Sequence, residues 1–409
     1  MPEPVGDGVK WERAGLVGAA IGVVAAGAAA GVAIERVTVG RGVRRKAQLA
    51  LDAAGPYGSL RGQPGTAAAE DGTELYYETD ELVEVPAVAE PARRGWRRRR
   101  ESAPEPEPAP LTVVFCHGYC LNQDSWHFQR AVLRGTVRAV YWDQRSHGRS
   151  ERGRDQAAGG PVTIDQLGRD LRAVLDAAAP EGPVVLVGHS MGGMTVMAFA
   201  DQYPEYVRER VAGVGFVSTS SGKLAAVTFG LPAVGARAFR AVAPGLLKIM
   251  GSQADLVERA RKATAELFAG IIKRYSFGSD VEPGVERFAE RLIESTPIDV
   301  VAEFYPAFTE HEKGEALAVF DGLPALVLAG DKDLLTPSAH STEIAERLPA
   351  AEAVIVPGAG HLVTFERPDV VNPALARLIA HAADSVRAPV GDGLRELAAA
   401  GDAQPVYGG

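Results

Sequence analysis

Apolar positions along the chain change period several times, and the changes mark its elements. Leu111-Thr-Val-Val-Phe-Cys116 and Val184-Val185-Leu186-Val187 are short apolar runs rich in β-branched residues, which predicts strands buried on both faces. Between them, residues 123–133 predict a helix and Val137 to Trp142 a strand. Thr163-Ile-Asp-Gln166 has the form of a capping box. In the helix it opens, Ile164, Leu167, Leu171, Val174, Leu175 and Ala178 fall on one face. Strand 183–188, helix 191–203 and strand 211–218 follow, and after a long interruption strand 324–329, helix 338–348, strand 353–356 and helix 369–384. Near the start, Thr66 to Ala69 and Thr73 to Thr79 flank Glu70-Asp71-Gly72, which reads as a hairpin. Such alternation predicts an α/β fold: a mainly parallel sheet with helices on both faces.

Four stretches break the pattern. Residues 55–65 are rich in Gly and Pro and read as a linker. Residues 86–110 carry Arg93, Arg94 and Arg97 to Arg100 around Trp96, then Pro104, Pro106, Pro108 and Pro110 with Glu105 and Glu107 between them. This is a disordered or extended insertion. Its basic half suits contact with anionic lipid, while a solvated loop tip is the plainer reading. Residues 219–322 are mostly helical in pattern, broken at Pro232, Pro244, Pro283, Pro297 and Pro306, and are expected to form a helical cap inserted into the sheet domain. The tail, 385–409, is Gly/Ala-rich and expected to be flexible, with a short helix near 393–400. The expected layout is therefore an N-terminal segment 1–54, a core of 55–218 and 323–384, the cap, and the tail.

Within the N-terminal segment, residues 14–34 contain no charge. As a helix, 21 residues would rise roughly 32 Å, close to a bilayer core. Nine of them are Ala, five Gly and only seven Leu, Ile or Val, which contribute about −2 to −4 kcal/mol to insertion. The span is marginal. Gly18/Gly22 and Gly27/Gly31 are GxxxG pairs, and Trp11 suits an interface. Arg36, Arg41, Arg44, Arg45 and Lys46 follow the run, so the positive-inside rule keeps the rest of the chain cytoplasmic. Membrane anchoring with a cytoplasmic catalytic domain is the expectation. An export signal and a soluble Ala-rich helix are the alternatives, the former a poor fit because the preceding residues are not clearly basic.

Composition narrows the classes further. A net charge of −9 argues against nucleic acid as the main partner. Two cysteines, Cys116 and Cys120, make neither a disulfide framework nor a metal site. His127, His147, His189, His311, His340 and His381 show no ligand spacing and HExxH is absent, so neither a metal nor a cofactor is expected.

The chemistry gathers at strand ends. Gly188-His189-Ser190-Met191-Gly192 is a G-x-S-x-G motif between a predicted strand and a predicted helix. The close approach of the two elements requires the small residues, and the serine hydroxyl stands at the helix start. A serine needs a base, and the base an orienting carboxylate. His361 lies just past strand 353–356 and Asp333 just past strand 324–329, in the order Ser, Asp, His. Asp331 is the other acid available; Asp333 is preferred because it lies further into the loop. The oxyanion donors are expected to be the N–H groups of Met191, directly after the serine, and Tyr119, where Cys116-His117-Gly118-Tyr119 turns after its strand. Cys120 and Trp126 line the pocket or pack in the core.

In these motifs the chain resembles the α/β-hydrolase superfamily. The matching residues are His117-Gly118, Asp143-Gln144-Arg145-Ser146-His147-Gly148-Arg149-Ser150, Gly188 to Gly193, Gly330 to Asp333 with Leu335-Thr336-Pro337, and Gly358 to His361. They lie within residues 66 to 384. The resemblance implies Ser190, Asp333 and His361 as a triad, Tyr119 and Met191 as the oxyanion hole, and a helical cap over the site. Ser146 departs from the Gly usual there, and a small residue is expected to be tolerated. The implied activity is a serine hydrolase acting on a small-molecule carboxylic ester, hydrophobic in view of the apolar cap. Thioester, amide or carbon–carbon bond hydrolysis and cofactor-free perhydrolysis are alternatives on the same framework, and a non-catalytic membrane-associated binding protein is a second one.

Overall fold

The computed structural model describes residues 57–83, 110–228, 230 and 265–402. The apolar stretch 14–34, the Arg/Pro-rich insertion up to residue 109, cap residues 231–264 and residues 403–409 lie outside the described residues. Among the described residues no helix is long and apolar enough to cross a membrane.

Eight strands form one sheet: β1 (Gln63–Ala68), β2 (Glu74–Asp80), β3 (Thr112–Cys116), β4 (Arg138–Trp142), β5 (Val184–His189), β6 (Val211–Val217), β7 (Ala325–Gly330) and β8 (Glu352–Val356). Their order is β1-β2-β4-β3-β5-β6-β7-β8. The β1–β2 hairpin is antiparallel, β2 joins β4 antiparallel, and every later pair is parallel. The expected linker 55–65 is shorter than its composition suggested, because β1 already begins at Gln63. Gly65 is a strand residue whose missing side chain leaves room for the Tyr77 ring, 2.3 Å from where a Cβ would lie.

Period-two alternation sorts the central strands between two cores. Val114, Val140, Leu186 and Phe216 face one side, under α2 (Ile164–Ala178), α3 (Met191–Gln202) and α8 (Ser338–Arg347). Phe115, Tyr141, Val187 and Leu328 face the other, under α1 (His127–Leu133), α9 (Pro368–Val386) and α10 (Asp392–Asp402). All six residues of β5 are buried, which is why that strand reads as an unbroken apolar run. Between β6 and β7 the described part of the cap supplies α5 (Ala265–Ser276), α6 (Pro283–Glu294) and α7 (Ile298–Glu310). The short α4 (Pro204–Arg210) leads from α3 into β6.

Two further expectations change on contact with the fold. Half of the capping box forms: the Thr163 hydroxyl accepts from the Gln166 N–H at 3.1 Å. The Gln166 amide does not reach back; it pairs with Gln156 and Asp155 instead. The tail is not loose over 385–402. Ala388, Val390 and Leu394 are buried in the second core, and α10 lies along α9. Leu397 and Ala398 pack beside Leu394, so the apolar face of the short expected helix is what holds the segment. We expect Leu394→Ala to cost about 2–5 kcal/mol of stability, as for other buried leucines, in urea unfolding followed by circular dichroism. A loss below about 0.5 kcal/mol, the scale of an exposed site, would return the tail to the loose state its composition suggests.

Candidate active site

The parallel strands deliver β3, β5, β6, β7 and β8 to one edge of the sheet at their carboxyl ends, where their loops meet. At the centre, β5 turns into α3 through Ser190, which holds φ 51° and ψ −118°. A side-chain-bearing residue at positive φ is strained by about 1–3 kcal/mol. Neighbouring glycines make the turn possible. A Cβ on Gly188 would sit 2.4 Å from the Gly192 carbonyl oxygen and the Gly193 nitrogen. One on Gly192 would sit 2.1 Å from the Cys116 carbonyl oxygen. The conformation is pinned from β6: the Ser190 N–H donates to the Val217 carbonyl at 2.9 Å, and the Thr219 hydroxyl donates to the Ser190 carbonyl at 2.6 Å.

The structure brings Ser190, His361 and Asp333 together. His361 Nε2 is 2.9 Å from Ser190 Oγ, and His361 Nδ1 is 2.8 Å from Asp333 Oδ2. Asp333 is buried and accepts from the backbone of Leu335 and Thr336 and from the Thr336 hydroxyl, each at 2.9 Å. Burial pushes its pKa up. The charge of His361, with the hydrogen bonds from His361 and Thr336, outweighs that and leaves the carboxyl below its ordinary value. An ionised Asp333 assigns the proton to His361 Nδ1, so Nε2 is left as the acceptor for the serine hydroxyl. The rival Asp331 faces away: its Oδ1 accepts the Gly358 N–H at 2.7 Å and closes the neck between the two loops.

The Tyr119 and Met191 N–H groups sit where the β3 loop backs onto the elbow. Gly118 has no side chain because a Cβ would lie 2.7 Å from His189 Nδ1. Among the described residues, no protein group accepts from either N–H. Met191 is the first residue of α3, where a helix leaves its N–H groups without internal partners. The residues around Tyr119 are firmly held. The Gln144 N–H donates to His117 Nε2 at 2.9 Å, the Gln144 amide donates to the His117 carbonyl at 2.6 Å, and the Cys120 N–H donates to His147 Nε2 at 3.3 Å. The Tyr119 ring packs against Phe308 at 5.0 Å, and its hydroxyl donates to the Val301 carbonyl on α7.

Sequence reasoning named the 143–150 motif but gave it no task. It is the brace of this loop. Asp143 accepts the N–H groups of Gln123 and Arg149 at 2.7 and 2.8 Å, alongside the Gln144 and His147 contacts. Ser146 stands at φ 63°, a conformation that favours glycine, and its hydroxyl accepts from the Gly153 N–H at 3.0 Å. Thr336 and Glu366 were also given no role: Thr336 is only three residues from Asp333, but its other partner, the Ser218 carbonyl, and most of those of Glu366 are distant in sequence. Cys116 and Cys120 are free thiols, both buried, and burial raises each to about 12. Trp126 packs on Phe115 at 5.0 Å, in the core. Among the described residues no group of three His, Cys, Asp or Glu side chains is placed to hold a metal ion.

Comparison with known proteins identifies the family of the fold. A family model described as the alpha/beta hydrolase fold matches residues 112–368. An sn-1-specific diacylglycerol lipase of Mus musculus is 30% identical over 273 residues, covering 66% of this chain and 80% of the relative. A monoacylglycerol lipase of Mycolicibacterium smegmatis is 28% identical over 279 residues, covering 66% of this chain and 88% of the relative. Among solved structures, a thermophilic esterase from Thermogutta terrifontis matches with a TM-score of 0.56 at 22% identity, covering 78% of this chain and 99% of that one. The chain belongs to the α/β-hydrolase fold family.

Proposed function

We propose that the protein is a serine hydrolase that cleaves a hydrophobic carboxylic ester through an acyl-enzyme. The observation that carries this reading is the contact of His361 Nε2 with Ser190 Oγ at 2.9 Å while Nδ1 is held by Asp333. In the proposed reaction, Ser190 Oγ attacks the ester carbonyl carbon as its proton passes to His361 Nε2. The carbonyl oxygen takes up the negative charge and accepts from the Tyr119 and Met191 N–H groups. The C–O bond to the alcohol breaks, and the alcohol leaves with the proton from His361. Water then repeats the sequence on the acyl-enzyme: His361 takes its proton, the acid is released, and Ser190 recovers its own. Asp333 holds the imidazole in the required tautomer throughout and stays ionised.

An apolar substrate is favoured by the surroundings of the elbow. Met191 and Met194 at the start of α3 are buried with Val300 and Phe304 of the cap, and Tyr119 and Phe308 pack against them. The two curated relatives named above act on acylglycerols by their names, which points the same way. We also propose that residues 14–34 anchor the protein with the hydrolase domain on the cytoplasmic side. The support is the uncharged run and the basic cluster Arg36 to Lys46 after it.

A fluorophosphonate probe is expected to label Ser190, and Ser190→Ala to abolish labelling and to lower p-nitrophenyl ester turnover by on the order of a millionfold. A folded sample that takes no label would sink the proposal. Asp333→Asn is expected to cut kcat by about 10⁴, while Asp331→Asn, with its partner at the loop neck, stays within about tenfold, the scale of 1.4 kcal/mol. The reverse order would reassign the acid. For the anchor, the full chain should stay with membranes through a high-salt wash and a chain beginning at Gly55 should be soluble. Solubility of both would remove it.

A further inference from the structure

Glu366 takes no part in the proposed chemistry, yet its carboxylate collects four donors. It ends the short helical turn Val363–Glu366 that follows His361. Oε2 accepts from the N–H of Gly360 at 2.8 Å and of Gly278 at 3.1 Å. Oε1 accepts from the N–H of Ser279 at 2.6 Å and from the Ser279 hydroxyl. One donor is the N–H of Gly360, the residue directly before His361, in the 359–360 peptide. The other three belong to the cap, just past the end of α5.

The two segments meet with no side chain between them. A Cβ on Gly360 would lie 2.6 Å from the Gly278 nitrogen, and one on Gly278 would lie 2.5 Å from the Gly358 carbonyl oxygen. The Leu362 N–H donates to the Ser276 carbonyl at 2.8 Å. On the opposite side, the His361 carbonyl is 3.0 Å from His189 Nε2. The backbone on both sides of His361 is therefore held; on the N-terminal side the 359–360 peptide is held at both ends, its carbonyl by the Lys332 N–H at 2.9 Å and its N–H by Glu366. Resting on the hydrolase reading, we propose that Glu366 is a positioning residue: it fixes the 359–360 peptide, which leads into His361, against the cap so that the His361 ring stays between Asp333 and Ser190.

A carboxylate is the group this place requires. It offers about four lone-pair sites and no donor. A glutamine has nearly the same shape, but its NH₂ would face N–H groups on one side. An aspartate keeps the charge and is one methylene short of reaching both segments.

The test uses the full chain and two readouts. One is kcat and KM on p-nitrophenyl butyrate. The other is the low-field proton resonance of His361 Nδ1–H in the Asp333 hydrogen bond, assigned by its loss in His361→Ala. Glu366→Gln is expected to lower kcat by about 10- to 100-fold, the scale of a displacement near 1 Å. KM should stay within about threefold, less than 1 kcal/mol, and the resonance should broaden or vanish while the circular-dichroism spectrum stays native. Ser279→Ala leaves the Gly360 contact in place and should keep both kcat and the resonance. Should Glu366→Gln fail to fold, Glu366→Asp decides by the same readouts, with a smaller loss of kcat and a weakened resonance expected. Unchanged kcat with a sharp resonance in the Glu366 variant would overturn the proposal. So would a Ser279→Ala loss as large as that of Glu366→Gln, since Glu366 would then serve the cap alone. Because the resonance does not depend on turnover, a wild type without esterase activity whose resonance still responds to Glu366→Gln would sink the hydrolase reading and leave this one standing.

Discussion

The strained turn at Ser190 constrains most of what surrounds it. Its backbone sits at φ 51°, a conformation that costs about 1–3 kcal/mol and persists only where neighbours over-determine it. Here the neighbours come from the two strands that flank β5. The β3 end closes over Gly192, the β6 end takes the Ser190 N–H, and Thr219 takes its carbonyl. Each contact is available only because β3, β5 and β6 run parallel and end at one level. The buried, valine-rich strands are thus the condition for the turn. Burying each such side chain contributes about 1.5–3 kcal/mol, so the sheet easily offsets the local strain.

The same edge explains how residues far apart in sequence form one site. Asp333 and His361 lie beyond neighbouring strands β7 and β8, joined by the Asp331–Gly358 hydrogen bond at the neck. Distances of 2.8 and 2.9 Å then follow from short loops on a rigid frame. The Tyr119 side is built differently. The Tyr119 loop is gripped by another loop, 143–150, and by the cap through the Tyr119 hydroxyl. The histidine side also has a cap contact, through Glu366. Cap and core therefore share hydrogen bonds at both flanks of the elbow, in addition to the ion pair of Arg152 with Asp299 at 2.7 Å.

How much of this was legible depended on where each residue's partners lie. Ser190, Asp333 and His361 stand in short motifs at strand ends, so local pattern and chain order located them. Between Asp331 and Asp333 only loop position argued, and the geometry now separates them by what each accepts. Glu366 is invisible in sequence because three of its four donors lie almost ninety residues away, a separation of 87 or 88. The 143–150 motif was visible as a pattern, but its task depends on the facing loop. The tail was misread in one respect: the short helix expected near 393–400 forms, with Leu394, Leu397 and Ala398 at helical spacing on one face, but composition did not show that this face packs into the second core.

Four histidines crowd the elbow, and the structure separates the one proposed as base from the rest by what their nitrogens do. His117 uses Nδ1 on the Gly118 carbonyl and Nε2 on the Gln144 N–H. His147 uses Nδ1 on the Arg145 carbonyl and Nε2 on the Cys120 N–H. His189 spends Nε2 on the His361 carbonyl. Burial above all holds the three neutral, at about 3, 4 and 3 respectively, with neighbouring imidazoles lowering His117 and His189 further. His117 and His147, each using both nitrogens, work as rigid, uncharged struts and cannot take a proton without losing a hydrogen bond of the loop they support, while His189 is kept neutral by its burial. His361 differs on both counts. Its Nδ1 meets a carboxylate rather than a carbonyl, so a positive ring has a compensating charge 2.8 Å away. Its Nε2 faces only the Ser190 hydroxyl, the one partner that can give up a proton without cost to the fold. The neutral struts also keep their charge out of the site: a cation at His147 or His189 would oppose formation of the imidazolium on His361 that the proposed reaction requires.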